Sequence, residues 1–380
     1  MKRIPLSVPY LGPETYEHVK EAIDTQWVST GGPFIRRFEE DLASYVGVSA
    51  AAALQSGTAA LHLALLLCDV KDGDYVLVPN LTFIAAINPI YYVGANPIFF
   101  DVDDSLGLDA KQVEEFLREE TIMVERECRY KRDGRRISAI LCVHIFGNLC
   151  DVHSLRSLAD EYGLKLIEDA TEALGTRDDK GFAGTFGDVG CFSFNGNKII
   201  TTGGGGMLVS RDESMTLEAR RLSTQAKVDG LYSTHDAVGY NYRMTNLQAA
   251  LGISQLKELE DFIAIKTENY HEYAHRLESL GLSLLPFREN TRPNYWFYSL
   301  DLGERKASRD ELLTYLIDRG VDVRPIWDLM SRQKPFKHDI VLPHPVAEDY
   351  LKRIVNLPCS TTLEEDDLLR VVDLISEFYK

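Results

Sequence analysis

Four short stretches carry residues that could do chemistry together. Lys198 lies in Cys191-Phe-Ser-Phe-Asn-Gly-Asn-Lys-Ile-Ile, with apolar residues on both sides. A buried ammonium is costly unless paired or neutralised, so this amine is a candidate for nucleophilic or proton-transfer work. Taken alone, it reads equally well as a lysine whose stem lies on apolar surface with its head in water. Lys165-Leu-Ile-Glu-Asp-Ala is an apolar strand ending in two carboxylates, Glu168 and Asp169. Open α/β sheets bind ligands at that edge, although an acidic loop cap has the same look. Gln55-Ser-Gly-Thr-Ala-Ala-Leu-His joins a strand to a helix. Gly57 lets the backbone approach a ligand, and the amides of Thr58 and Ala59 at the helix start suit a phosphate. In Pro79-Asn-Leu-Thr-Phe, Phe83 follows a strand end, placed either to stack on a planar ring or to fill the core.

The combination says more than its parts. An amine to hold an aldehyde covalently and a carboxylate to keep a pyridine nitrogen protonated are the pair that pyridoxal-phosphate (PLP) chemistry requires. Asp169 preceding Lys198 is the order and rough spacing of such a site.

Elements must bring these stretches together. Helix patterns at Pro13–Asp24, Phe34–Tyr45, Thr58–Cys68, Phe83–Val93, Asp109–Glu119 and Val152–Tyr162 alternate with apolar strands. The strands are Ala51–Gln55, Asp74–Val78, Pro97–Asp101, Ile137–His144 and Lys165–Glu168, followed by shorter pieces at Gly190–Phe194 and Gly206–Ser210. Strands apolar along their length, alternating with helices, predict an α/β fold with a mainly parallel sheet between helices. The expected division is a large domain over 1–250 and a smaller α+β C-terminal domain over 251–380. A long helix from Asn246 to Lys266, running on to about Leu280, forms the bridge. Strand Tyr295–Leu302, helix Ser308–Arg319, strand Asp322–Pro325 and helix Glu364–Tyr379 follow. Ser308 with Glu311, and Thr362 with Glu365, match the capping-box pattern. The charged stretch Glu125–Arg136 reads as a surface ribbon, with Asp133-Gly134 as its turn.

A formal net charge of −17 speaks against a nucleic-acid partner, which needs a basic face. Phosphorylated ligands would have to be held by a few local donors. No apolar run is long enough to span a bilayer, and the N-terminus carries no export signal. Six scattered cysteines without a C-x-x-C pair suggest neither a metal site nor a disulfide framework, and a reducing cytoplasm is expected.

Further motifs are Trp27-Val-Ser-Thr-Gly, Ser56-Gly-Thr-Ala-Ala-Leu, Glu168-Asp-Ala-Thr-Glu-Ala-Leu-Gly, Phe186-Gly-Asp with Phe192-Ser-Phe, Gly203–Gly206, and Gly239-Tyr-Asn-Tyr-Arg-Met-Thr-Asn-Leu-Gln-Ala-Ala-Leu-Gly. With Lys198 in family order among them, the chain resembles the DegT/DnrJ-type nucleotide-sugar aminotransferases, a branch of the fold-type-I PLP enzymes, over essentially its whole length. The resemblance implies that Lys198 carries PLP through its amine and that Asp169 pairs with the pyridine nitrogen. Thr58 and Ser193 reach the phosphate, and Phe83 stacks. Glu172 stands near the phenolic oxygen, where the family usually has glutamine. Asn241 reaches the phosphate of a neighbouring subunit, so a homodimer is the smallest active unit. Val143-His-Ile-Phe-Gly-Asn and Leu222-Ser-Thr-Gln-Ala-Lys are similar to the aminotransferases of legionaminic acid and related diamino sugars. This implies L-glutamate as donor and a UDP- or GDP-linked 2-acetamido-4-keto-2,6-dideoxy hexose as acceptor. Ser29, His144, Gln225, Lys227, Arg243 and Arg324 are substrate-binding candidates. A PLP-dependent sugar dehydratase, which would carry histidine in place of Lys198, and a non-catalytic sensor of the same fold are the rival readings.

Overall fold

Runs such as Tyr75-Val-Leu-Val-Pro and Ile137-Ser-Ala-Ile-Leu-Cys-Val are buried at every residue. A strand with two buried faces needs cover on both sides, and a parallel sheet between helices supplies it. The computed structural model describes residues 2–380. Its main sheet has eight strands in the order Ala50–Leu54, Gly206–Ser210, Val189–Ser193, Lys165–Asp169, Ile137–Val143, Tyr75–Pro79, Asn96–Phe100 and Ile340–Val341. Every neighbouring pair is parallel except those made by Gly206–Ser210, which runs against both its neighbours. Seven strands therefore end at one edge, and the chain that leaves five of them carries residues 55–59, 80–83, 144–147, 170–172 and 194–198.

Helix signals in the sequence locate the flanking elements well. Pro13–Asp24 begins with its proline in the first turn, where a missing N–H costs nothing. Val152–Tyr162 is capped by the Asp151 side chain and stopped by left-handed Gly163, as cap chemistry dictates.

Other expectations are corrected. The helix expected over Phe83–Val93 is a 3-10 turn, Ile84–Ala86, and a short helix, Asn88–Tyr92. Pro89 lacks an N–H and clashes with the preceding turn, so one continuous helix cannot pass it. The bridging helix is two helices, Asn246–Lys257 and Leu259–Glu278, meeting at Glu258; no proline or glycine marks that break. Ser308 caps nothing with its side chain: a 3-10 turn over Gly303–Ser308 leads directly into the helix Arg309–Asp318, and the serine hydroxyl donates to the Arg305 carbonyl. The last helix starts after Glu364 without a side-chain cap, so Thr362 plays no such part. Tyr295 is left-handed, with φ 51°, which delays the strand to Tyr298–Asp301. In the charged ribbon, Thr121–Val124 pairs with Glu127–Tyr130 around Glu125-Arg126, both at positive φ, the requirement of a type I′ turn. Asp133-Gly134 makes a second turn beyond it.

A second sheet, antiparallel, orders Ser283–Leu284, Tyr298–Asp301, Ile354–Leu357 and Arg324–Pro325. Chain crosses between the two sheets: Ile340–Val341 joins the edge of the main one, and Ile4 bridges Val321 beside the smaller one. This traffic brings residues 296–297 and 327 to the ligand edge of the main sheet.

Candidate active site

The five strand ends surround a cavity of about 250 Å³. Ser56, Gly57, Thr58 and Ser193 lie at one end, and Asp169 and Lys198 line its walls with Phe83 and Glu172. At the first end, the Ser56 hydroxyl accepts from the Ala59 amide at 3.1 Å. That bond caps the helix and occupies the donor expected to meet a phosphate; Ala59 is accordingly buried and outside the cavity lining. The free amides of this turn belong to Gly57 and Thr58, which have no acceptor among the described residues. A side chain at position 57 would place its Cβ 2.9 Å from the Ser193 Cβ and 3.0 Å from the Thr171 Cγ2, so only glycine keeps this end open.

The two carboxylates ending strand Lys165–Asp169 separate because neighbouring strand residues face opposite ways. Asp169 faces the cavity and accepts from the Thr171 amide at 3.1 Å. Burial pushes its carboxyl above the usual value, against the pull of Thr171 and Lys198. Glu168 turns inward. It accepts from His144 Nε2 at 2.9 Å and from the amides of Gly184, Phe186 and Gly187 at 2.8, 2.7 and 2.5 Å. His144 is thereby settled as a structural group rather than a substrate ligand: it is fully buried, and its Nδ1 accepts from the Cys150 amide at 3.3 Å. Glu168→Ala would orphan four donors and is expected to cost about 3–5 kcal/mol of stability, measured by urea unfolding, with Glu168→Gln costing less.

Across the cavity, the Lys198 ammonium is 3.5 Å from Glu172 Oε1. Glu172 Oε2 accepts from the Phe146 amide at 2.8 Å, a donor aimed by the left-handed conformation of Phe146 at φ 57°. Burial pushes the Glu172 carboxyl up to about 7, although Lys198 and Phe146 pull it down. The folded value lies above the unfolded one. Its stabilising effect is therefore complete below about pH 4.5 and is lost as pH rises through 7. In the cofactor-free protein this one group should remove about 3 kcal/mol between pH 4.5 and 8. Glu172→Gln is expected to flatten that slope in urea titrations at the two pH values.

Six further expected site residues lie outside this cavity. Ser29, Asn241 and Arg243 line a second cleft that shares Ser56 with the cavity. There Arg243 is paired with Glu39 at 2.5 Å and donates to the Ala53 carbonyl. Gln225, Lys227 and Arg324 line neither cleft within one chain; Arg324 is exposed, with Nη1 on the Val323 carbonyl. Cys142, His144 and Cys150 bring possible ligand atoms within 4.8 Å of one another, but both His144 nitrogens are already bonded. All six cysteines are free and buried. No helix among the described residues is long and apolar enough to cross a membrane.

Sequence reasoning missed an aromatic wall, Trp296, Phe297 and Trp327, that closes the cavity from the C-terminal side. Phe146 packs against all three, 4.9 Å from the Trp327 ring. It also missed Thr82, a cavity residue that is fully buried with its hydroxyl unpartnered. The cluster Asn294-Tyr-Trp-Phe was the available signal.

The cavity fits PLP. Free amides stand at one end for a phosphate, a buried carboxyl without an ion-pair partner among the described residues lines the wall where a pyridine nitrogen would be held, and an amine reaches the space between. The comparisons agree. Residues 9–376 match the DegT/DnrJ/EryC1/StrS aminotransferase family, and the chain belongs to it. It is a PLP-dependent aminotransferase. It is 36% identical to the GDP-perosamine synthase of Escherichia coli O157:H7, over 100% of this chain and 99% of that one. It is 37% identical to EpsN of Bacillus subtilis, over 100% of this chain and 96% of that one. Among solved structures, DesI in the presence of its TDP-sugar product is similar with a TM-score of 0.87 and 29% identity, covering 99% of this chain and 92% of that one.

Proposed function

We propose that the enzyme transfers an amino group from L-glutamate to C4 of a nucleotide-linked 4-keto-6-deoxy sugar in bacterial surface-sugar biosynthesis. The acceptor is a 2-acetamido-2,6-dideoxy-hexos-4-ulose, as in legionaminic acid-type routes. GDP is the favoured carrier over UDP, because relatives from three bacteria at 34–36% identity are named GDP-perosamine synthases. The observation that carries the reading is Lys198 and Asp169 lining one cavity in a chain that matches its family almost end to end.

PLP, when bound, supplies an aldehyde that takes up the amino group and a ring that absorbs the electrons left as a carbon–hydrogen bond breaks. The residues do the rest. The Gly57 and Thr58 amides and the Ser193 hydroxyl would hold the phosphate, Phe83 would cover one ring face, and the Asp169 carboxylate would hold the pyridine nitrogen. Glu172 stands beside the phenolic oxygen. Lys198, with its amine free, would accept the proton from glutamate Cα and deliver it to the carbon that bears the cofactor's aldehyde; with the sugar ketone the same transfer would run backwards. Asn241 acts from a second subunit, which makes a homodimer the active unit on a large domain of 1–250 and a smaller one of 251–380. Ser29, Gln225, Lys227, Arg243 and Arg324 belong to the nucleotide-sugar side of that shared site.

The presence of Lys198 disfavours the dehydratase alternative, and glutamate-driven loss of the cofactor's aldehyde form would dismiss a sensor. The test incubates the PLP-loaded enzyme with glutamate and GDP- or UDP-linked 4-keto-6-deoxy hexoses, with and without a 2-acetamido group. Formation of 2-oxoglutarate and the amino sugar is read by NMR, with the GDP form faster. Glutamate turnover without any amino-sugar product would overturn the acceptor assignment.

A further inference from the structure

Lys198 has a long flexible stem, yet its work as a base needs the amine at one point whenever it is not carrying the cofactor. Its own segment supplies one turn bond, from the Lys198 amide to the Asn195 carbonyl at 3.0 Å, which holds the backbone and leaves the stem free. Residues 195–198 form an irregular turn, and among the described residues the only carboxylate at the amine is Glu172 at 3.5 Å. From distant chain, the Ser7 hydroxyl donates to the Asn197 carbonyl at 3.2 Å, and the closer contacts come from Trp296. The Trp296 indole Nε1 donates to the Asn197 carbonyl at 2.7 Å, so it grips the peptide link immediately before the lysine. The face of the same ring lies under the ammonium, with Nζ 4.1 Å from the ring centroid. Contact with an aromatic face stabilises an ammonium by about 0.5–2 kcal/mol, more when desolvated.

Trp296 is itself held from several sides. Its amide donates to Asn294 Oδ1 at 2.9 Å, and its carbonyl accepts from Lys266 Nζ at 3.1 Å. Its ring stacks on Phe297 with centroids 4.0 Å apart and planes 9° from parallel. Only 2% of the residue is exposed. Lys266 is buried with no carboxylate partner among the described residues and spends its donors on the carbonyls of Trp296 and Cys359. An ammonium kept in the interior to bind main-chain oxygens marks a segment whose position matters.

We propose that Trp296 is the positioning residue for Lys198: its N–H fixes the turn that carries the lysine, and its ring face seats the displaced amine opposite Glu172. This rests on Lys198 being the covalent and proton-transferring group. The amine then alternates between the cofactor and one seat, and returns each proton from a defined place. Positional tolerance in such transfers is narrow; a misplacement of about 1 Å costs about 100-fold in rate.

The test compares Trp296→Phe, which keeps a ring face but loses the N–H, with Trp296→Leu, which loses both. Two readouts are taken from each protein. The first is labelling of Lys198 in the cofactor-free protein by an amine-acylating reagent at pH 8, quantified by mass spectrometry, which needs neither substrate nor PLP. The second is the kcat against KM split for glutamate in the loaded enzyme. With the leucine variant, labelling should accelerate about 2- to 30-fold as the charged amine loses its seat, and kcat should fall about 100-fold with KM changed less than threefold. The phenylalanine variant should label at a rate close to the wild type but lose at least tenfold in kcat. If both variants fold by circular dichroism and keep the labelling rate and kcat within twofold, Trp296 is core packing only and the proposal falls. Should the leucine variant fail to fold, the phenylalanine kcat and KM decide alone. Loss of the parent reading has a different signature: a borohydride-trapped PLP adduct on a residue other than Lys198, whatever the Trp296 variants do.

Discussion

Lys198→Ala is expected to reduce amino transfer by about 10,000-fold or more, because one substitution removes both the covalent anchor and the proton carrier. Two spectroscopic results should accompany the loss. The purified variant should bind PLP reversibly without the visible band of a lysine-linked cofactor, and borohydride treatment should leave no stable adduct on the chain. The fold should survive. Lys198 is a cavity residue, and its amine contacts Glu172 and the Trp296 face, so its removal leaves one buried carboxyl without a cation. That carboxyl already sits near 7 through burial and can take up a proton instead. Lys198→Arg is the control: it keeps a charge beside Glu172 but supplies no nucleophile, and should be as inactive as the alanine variant. Transamination within tenfold of wild type by either variant would show that another group does this chemistry.

How much of this was legible depends on which interactions a sequence displays. Strands buried along their whole length and helices with a proline start or a glycine stop are written in local residue order. That is why Val152–Tyr162 and Gly206–Ser210 fall where expected. Pairs that depend on one strand end, such as Asp169 and the Ser56–Thr58 turn, were legible for the same reason. Groups whose neighbours come from distant chain were not. From sequence His144 reads equally as a substrate contact or a structural histidine, and the Gly184–Gly187 loop that shares Glu168 with it decides for the second. Ala59 looked like a phosphate donor because the sequence does not say whether Ser56 turns back to take its amide. The aromatic cluster that holds Trp296 does not say what it faces, and Trp327 sits in a segment with no motif of its own; only the chain that crosses between the two sheets makes them walls of the cavity.

Asp169→Asn should separate what the acid does for the cofactor from what it does for the fold. The substitution keeps the shape of the side chain and the bond from the Thr171 amide to Oδ1, and removes only the charge. A charge-assisted hydrogen bond exceeds a neutral one by about 1–2 kcal/mol, so PLP affinity should weaken about 5- to 30-fold. The rate should suffer more, by about 100- to 1000-fold in kcat, the usual cost of losing one preorganised electrostatic group. Stability should move the other way. Burial already pushes this carboxyl above its ordinary value in the cofactor-free protein, which means the charged form is disfavoured there until a cation arrives. A neutral amide avoids that cost, so the cofactor-free variant should melt at or above the wild-type temperature, while the rise in melting temperature on adding PLP should shrink. Loss of both activity and cofactor-free stability would make Asp169 a structural residue. Loss of activity with stability kept identifies a charge held in the interior for the ligand it awaits.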